Sequence, residues 1–447
     1  MTHTGSPQQL VDHLFRHEAG KMISVLTRIF GFHNLEMAED VVQETFLKAL
    51  QAWKFHQMPD NPSGWLMRVA RNRAIDLVRR QQKLASLSEE LSLQWQADTE
   101  HTIGQFFLDT EIADSQLRMI FTCCHPALHP EDQVALTLKT FSGFGVQEIA
   151  RALVSNEATI QKRLYRAREF IKENEIAFEI PMGKALQERL ETVHMVIYLL
   201  FNEGYNSIKA DELIRYDLCA EAMRLAKLLE EHRVGGTPST AALLSLMCFQ
   251  ASRFDSRIGD DNSIILLEQQ DRNKWDKELI RLGYYYLNRS SQGDHLSVYH
   301  IESAIAAEHC LAPDFASTNW ETLLTLYNCL LEKKPVPAVQ LNRAIVLAQL
   351  KDLPAAIDII LDIPDIEGLL QHHYIYSAVL GDLYAKAGNL GEARKYLELA
   401  RRLTPSTAEK RLLGEKIKAL PPDNHRPNSP DGGDFPSFGH PISGSGS

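Results

Sequence analysis

Leu138 to Lys172 reads LKTFSGFGVQEIARALVSNEATIQKRLYRAREFIK, and its apolar spacing decides what kind of fold surrounds it. Val146, Ile149, Ala150 and Leu153 recur at helical intervals, Ser155-Asn156 breaks the pattern, and Ile160, Leu164 and Ala167 resume it. Two short helices therefore meet across a tight turn, which is a helix-turn-helix. The second helix gathers its apolar positions on one stripe. It leaves Lys162, Arg163, Arg166, Arg168 and Lys172 around the rest, with Glu157, Ala158, Thr159 and Gln161 in its first turns. In a recognition helix the first turns read base edges and the cations hold phosphates. A plain helical hairpin with a solvated basic face is the competing reading.

The chain has 447 residues, 44% of them hydrophobic, and a formal net charge of -11. That length sustains two or three domains with cores of their own. An acidic total argues against a protein that coats nucleic acid without specificity, so DNA contact has to come from local basic patches. The start, MTHTGSPQQLVDHLF, lacks a basic segment followed by an apolar one, and no apolar run reaches the roughly 18 residues that a bilayer requires. A cytoplasmic location without a membrane partner is expected. Cys123, Cys124, Cys219, Cys248, Cys310 and Cys329 are scattered without a framework spacing, as reduced thiols would be.

Upstream, periodicity predicts two helices between residues 8 and 55, the first ending near Gly31. In AEDVVQETFLKALQAW, Val41, Val42, Thr45, Phe46, Ala49, Leu50 and Trp53 form a core stripe, while Asp40, Gln43, Glu44 and Leu47 share another face. An acidic patch with one exposed leucine suits a protein partner, and a solvated face is the plainer alternative. The turn-rich FHQMPDNPSG follows, in which Asn61-Pro62 offers an N-cap and a first-turn proline. It starts a helix that buries Trp65, Leu66, Val69, Ala70, Ala74, Leu77 and Val78. Arg68, Arg71, Asn72, Asp76, Arg79, Arg80 and Lys83 remain on its outer face, with Arg73 toward the edge. Two basic helices thus lie apart in the first part of the chain.

Residues 84–114 are rich in Ser, Glu, Gln and Asp and read as a tether, with the helices leading to the helix-turn-helix beginning at Ser115. From Ile180 the pattern is helical again. LGDLYAKAGNLGEARKYLELARRLTP (380–405) alternates small and large residues as stacked tetratricopeptide helix pairs do, and LNRAIVLAQLKDLPAAIDIILDIP (341–364) superposes Ala348 on Ala385 and Ala356 on Ala393. The fold class is all-α, ending in an α-solenoid. Its concave face would by default take a peptide or protein ligand, and a passive extension is the alternative. The tail from Pro421 is rich in Pro, Gly, Ser and Asp and is expected to be disordered.

With these motifs in view, residues 8–175 resemble an extracytoplasmic-function (ECF) sigma-70 factor of bacterial RNA polymerase. AEDVVQETFLKAL matches the polymerase-binding segment, GWLMRVARNRAIDLVRRQ the promoter-melting segment, and VQEIARALVSNEATIQKRLYRARE the minus-thirty-five-reading helix. The resemblance implies region 2 at 8–83, a linker at 84–114, region 4 at 115–178, a tetratricopeptide-like regulatory domain at 179–420 and a tail at 421–447. FTCCHPALHPEDQVAL departs from the usual start of region 4. With the long extension, FNEGYN and LLEQQDRNKWD, it is similar to the C-terminally extended subgroup.

Carried over, Asp40, Gln43, Glu44 and Leu47 would meet the clamp helices of the polymerase largest subunit, and region 4 its flap. The loop from Phe55 to Gly64 would hold a flipped minus-ten base, beside a strand tracked by Arg68, Arg71, Asn72, Arg73, Asp76, Arg79 and Arg80. Glu157, Ala158, Thr159, Gln161 and Lys162 would face minus-thirty-five base edges, and Arg163, Arg166 and Arg168 the phosphates. The implied function is a sigma factor governed by its fused helical domain; the alternative is a stand-alone helix-turn-helix regulator. An enzyme with its active site in the C-terminal half finds no catalytic constellation in its favour. No cofactor is expected. Cys123, Cys124, His125 and His129 lack zinc-ligand spacing, and the two thiols are expected to pack as small apolar groups where His125-Pro126 ends a helix. In Phe201 to Asn206, Gly204 is expected as a left-handed cap and Glu203 as a buried hydrogen-bond partner.

Overall fold

Proline, asparagine and glycine set the helix boundaries in the first part of the chain. The computed structural model describes residues 7–55, 58–85, 100–153, 155–205, 214–259 and 263–421; the expected tail beyond Pro421, residues 86–99 of the expected tether and Asn206 lie outside them. α1 (Pro7–Phe30) stops at Gly31, whose φ of +83° is open to glycine at little cost. α2 (Leu35–Phe55) follows a single 3-10 turn. α3 (Pro62–Ala85) starts where expected, the Asn61 side chain accepting the Gly64 N–H at 2.9 Å. The three helices close on Met22, Leu26, Val41, Ala49, Leu66 and Ala70. Their rings interlock, with Phe15 stacked on Phe46 at 4.4 Å and Trp53 5.6 Å from Trp65. Leu50, expected in the core stripe, is 51% exposed, because it lies about 100° around the helix from the buried Ala49, at the edge of the stripe.

The stretch expected as a tether is helical where it is described, over 100–106 (α4) and from Asp109 in α5 (Asp109–Cys123). Its few apolar side chains are used: Ile103 and Ile112 are buried, and the Arg28 guanidinium lies 4.6 Å from the Phe106 ring centroid while donating to Glu111 at 2.7 Å. Then come α6 (Pro130–Thr140), α7 (Val146–Ala152) and α8 (Glu157–Glu173), the last two forming the expected helix-turn-helix. Cys123 and Cys124 are buried beside the hydroxyls of Thr140 and Thr137, and burial pushes the Cys123 thiol up to about 12.

α1 crosses α6 at Gly20, where a Cβ would stand 1.7 Å from the Phe141 carbonyl oxygen. A residue without a side chain is what lets these helices meet. One apolar core consequently runs from Ala19 through the helix-turn-helix to Tyr286, joining parts of the chain that the tether reading holds separate.

That core includes α9 (Lys184–Tyr205), α10 (Tyr216–Glu231) and α11 (Pro238–Ala251). α11 is apolar on all sides and accordingly central. Gly204 lies inside α9 and has no positive φ, contrary to the expected left-handed cap. A Cβ there would meet Cys219 Sγ at 2.7 Å and the Arg215 carbonyl at 2.8 Å, so the glycine serves close packing. Glu203 is half-buried, and its carboxyl is raised by that burial.

After the short α12 (Phe254–Arg257) and α13 (Lys277–Ser290), α14 (Val298–Leu311), α15 (Trp320–Lys333), α16 (Pro337–Gln349) and α17 (Leu353–Leu361) each pack on the helix before. α18 (Ile366–His372) packs on α19 (Tyr374–Lys386), which itself returns to α17, and α20 (Leu390–Leu403) and α21 (Thr407–Ala419) continue the series. Ala356 and Ala393, superposed by the repeat, are both fully buried. Gly381 lets α19 approach α20, a Cβ there being 2.7 Å from Leu397 Cγ. Small separate cores succeed one another along this half, as in a stack whose members touch only their neighbours. Among the described residues there is no strand, and no helix is long and apolar enough to cross a membrane.

Candidate nucleic-acid interface

α8 is capped by Asn156, whose side chain accepts the Thr159 N–H at 2.8 Å. Its inner stripe is Ile160, Leu164, Ala167 and Ile171. That leaves Glu157, Ala158, Gln161, Lys162 and Arg166 exposed and Thr159, Arg163 and Arg168 half-buried. Tyr165, 68% exposed, stands one turn beyond Gln161 and escapes the sequence reading. Attention to charge alone passes over an exposed aromatic on the same helix face as the positions expected to meet base edges.

The three arginines assigned to phosphates are each engaged by a carboxylate. Arg166 grips Asp132 with Nε at 2.7 Å and Nη2 at 2.5 Å, and this pairing raises its pKa. Arg163 pairs with Glu131. Arg168 reaches Glu39 on α2 at 2.6 Å, and burial raises the Glu39 carboxyl while Arg168 opposes that rise. Glu131 and Asp132 sit in the first turn of α6, where they look like ordinary helix-start acids. Only the tertiary fold brings them under α8.

On α3, Arg68, Asn72, Asp76 and Arg80 are exposed and Arg71, Arg73 and Arg79 half-buried. Arg73 is bound to Glu44 at 2.8 Å, so a residue assigned to DNA holds one assigned to the polymerase. Arg79 pairs with Glu100 of α4. Arg68 and Arg71 line a cavity of about 520 Å³ together with Asn61, Ser63 and Gly64, walled on the other side by Phe107 and Asp109. Asp40, Gln43 and Leu47 are exposed on α2, Leu47 to 59%. The fold therefore brings the basic face of α3 and its loop together, and pairs two of its cations with acids: Glu44, which the sequence reading gave to the polymerase, and Glu100, which it did not single out.

Comparison with known families gives sigma-70 region 2 over residues 14–84, sigma-70 region 4 over residues 118–171, and a family of unknown function (DUF6596) over residues 189–291. An uncharacterized protein of Rhizobium meliloti, R00370, is 34% identical over 389 residues, which cover 87% of this chain and 91% of that one. The ECF RNA polymerase sigma factor SigE of Mycolicibacterium smegmatis is 28% identical over 36% of this chain and 60% of its own length. The ECF RNA polymerase sigma-E factor of Haemophilus influenzae is 28% identical over 35% of this chain and 82% of its own. No solved structure matches the chain significantly.

Proposed function

The chain belongs to the extracytoplasmic-function sigma-70 family and carries a long C-terminal helical extension, and from that premise we propose how its parts divide the work. It is a sigma factor for transcription initiation, and its two matched regions imply binding to RNA polymerase core and to promoter DNA. The sigma family is non-enzymatic. A stand-alone helix-turn-helix regulator is not favoured, since region 2 accompanies region 4.

In this reading Asp40, Gln43 and Leu47 dock on the polymerase clamp, joined by Glu44 once Arg73 releases it. α3 tracks the melted minus-ten strand, α8 reads the minus-thirty-five duplex, and the extension acts as a tetratricopeptide-like regulator of both. One observation carries the regulatory part. The Arg168–Glu39 pair ties the duplex-reading helix to the polymerase-docking helix, so Arg168 cannot meet a phosphate while the pair stands. Support for the extension's hold comes from Arg189 on α9, which donates to the Phe121 carbonyl of α5 at 2.7 Å.

The test is run-off transcription with purified core polymerase. The chain is expected to give a promoter-dependent transcript, Arg189→Met to give more of it, and a combined Asp40→Lys and Gln43→Ala change to abolish it. Absence of any promoter-dependent transcript from both the parent chain and Arg189→Met would reject the reading. Removing residues 179–447 is a poorer test, because α9 contributes Val193, Val196 and Ile197 to the core that it shares with α5 and α6.

A further inference from the structure

A cavity of about 500 Å³ opens between α9, α11, α14, α15 and α16, remote from every residue assigned above to polymerase or DNA. Three buried polar atoms of residues on its wall have no hydrogen-bond partner among the described residues: Gln250 Oε1, Arg253 Nε and His309 Nδ1. Buried polar atoms are almost always paired; these three are shut off from solvent as well as unpaired, so the wall of a cavity of ligand size carries side chains that would gain partners by turning toward a group from outside the chain.

Charge narrows the ligand. Lys334 is spent on Glu302, 3.0 Å away, and its ammonium lies 5.4 Å from the Tyr198 ring centroid. Burial, aided by Arg253 and Arg272, pushes the His309 imidazole down to about 3, so at neutral pH it carries no charge. Arg253 has no carboxylate within 4 Å among the described residues, its ring partner being Trp275. Among the residues that line the cavity one cation is thus left unmatched, which fits one negative charge better than the nearly two of a phosphate monoester. Tyr198 and Tyr327 supply ring faces, and Leu246, Ile305 and Leu330 an aliphatic wall. Gln250 Oε1 calls for a donor.

We propose that this cavity binds a small aromatic monocarboxylate bearing a hydroxyl or amino group, its carboxylate on Arg253, its donor on Gln250 and its ring between the tyrosines. α9 supplies Tyr198 and Tyr205 to the cavity and, nearer its start, holds region 4 through Arg189. A ligand that repositions α9 would act on the promoter-reading half. This step rests on the regulatory reading above, whereas binding itself does not.

The measurement is calorimetric titration of the full chain with 4-hydroxyphenylacetate, phenylacetate and their primary amides at up to millimolar concentration, without polymerase or DNA. The hydroxylated acid is expected to bind best, its amide at least tenfold more weakly. Arg253→Met should cost at least tenfold, and Gln250→Leu should erase the preference for the hydroxylated acid. Should Arg253→Met fail to fold, Arg253→Lys, which keeps the charge and removes the guanidinium fork, is expected to bind several-fold more weakly. Equal affinity of acids and amides, affinity indifferent to Arg253, or no binding by either acid overturns the proposal. So does binding of a peptide with a free C-terminus where both acids fail, which would make the cavity a peptide site. Transcription that ignores a bound acid would sink only the link to α9.

Discussion

Arg166 and Arg163 lie one turn apart and look interchangeable in the sequence, yet their acids differ. The Asp132 side chain is 2% exposed, whereas that of Glu131 is 69% exposed. Removing Arg166 leaves a buried carboxylate unpaired, which costs about 1–3 kcal/mol, while an exposed pair is worth less than about 1 kcal/mol. Arg166→Ala is therefore expected to lower the urea midpoint of unfolding, and Arg163→Ala to leave it in place while reducing the salt dependence of duplex binding by about one unit. Identical midpoints would show that Asp132 does not depend on its partner. The identities of the basic residues were legible because cations on a recognition helix stand out in sequence. Their engagement was not, since Arg168 finds Glu39 at a separation of 129 residues and nothing local announces that pairing.

Helix boundaries were legible wherever a residue with a special backbone or cap stood at the end, as at Gly31, Asn61-Pro62 and Asn156. α4 and the start of α5 were not, because Ile103 and Ile112 are sparse among polar neighbours and owe their burial to the tertiary fold, Ile112 lying across a cavity from α1 and α3. Gly204 was misread for a related reason: a glycine near a helix end suggests a cap, and only the approach of Cys219 reveals its packing role. The same closeness between elements makes the α9–α11 contact sensitive to acid. His194 on α9 is buried, with Nε2 2.7 Å from Thr240 Oγ1 on α11, and burial pushes its imidazole from 6.5 down to about 4. The folded ring thus takes up a proton less readily than the unfolded one. Its contribution is complete above about 6.5 and is lost as pH falls toward 4, a span of roughly 3 kcal/mol. Urea midpoints of the parent chain are expected to fall between pH 7 and pH 5 by more than those of His194→Gln; parallel declines would contradict the assignment.

At the scale of the whole molecule the decisive feature is that region 2, region 4 and the first helices of the extension enclose one core, in an arrangement held by Gly20 against Phe141 and by the Arg168–Glu39 and Arg28–Glu111 pairs. Sequence periodicity gives each helix its buried side but does not say which neighbour covers it. That is why two modules on a tether and one closed body are equally compatible with the pattern. In the division of work proposed above, α3 and α8 meet well-separated promoter elements, and on that reading the closed body has to open before both are engaged. Gly20→Leu places a side chain where the backbone of α6 now stands, and Glu39→Lys sets two cations face to face at the other contact. Each is expected to raise the radius of gyration in small-angle scattering, keep the far-ultraviolet helical signal, and strengthen binding to promoter duplex. The Glu39 variant does so without adding volume to the core, so a loss of helix confined to Gly20→Leu leaves the comparison intact. If neither variant expands and neither binds duplex more tightly, closure is not what withholds the DNA-reading faces, and the pairs on α8 must instead yield to phosphate one by one.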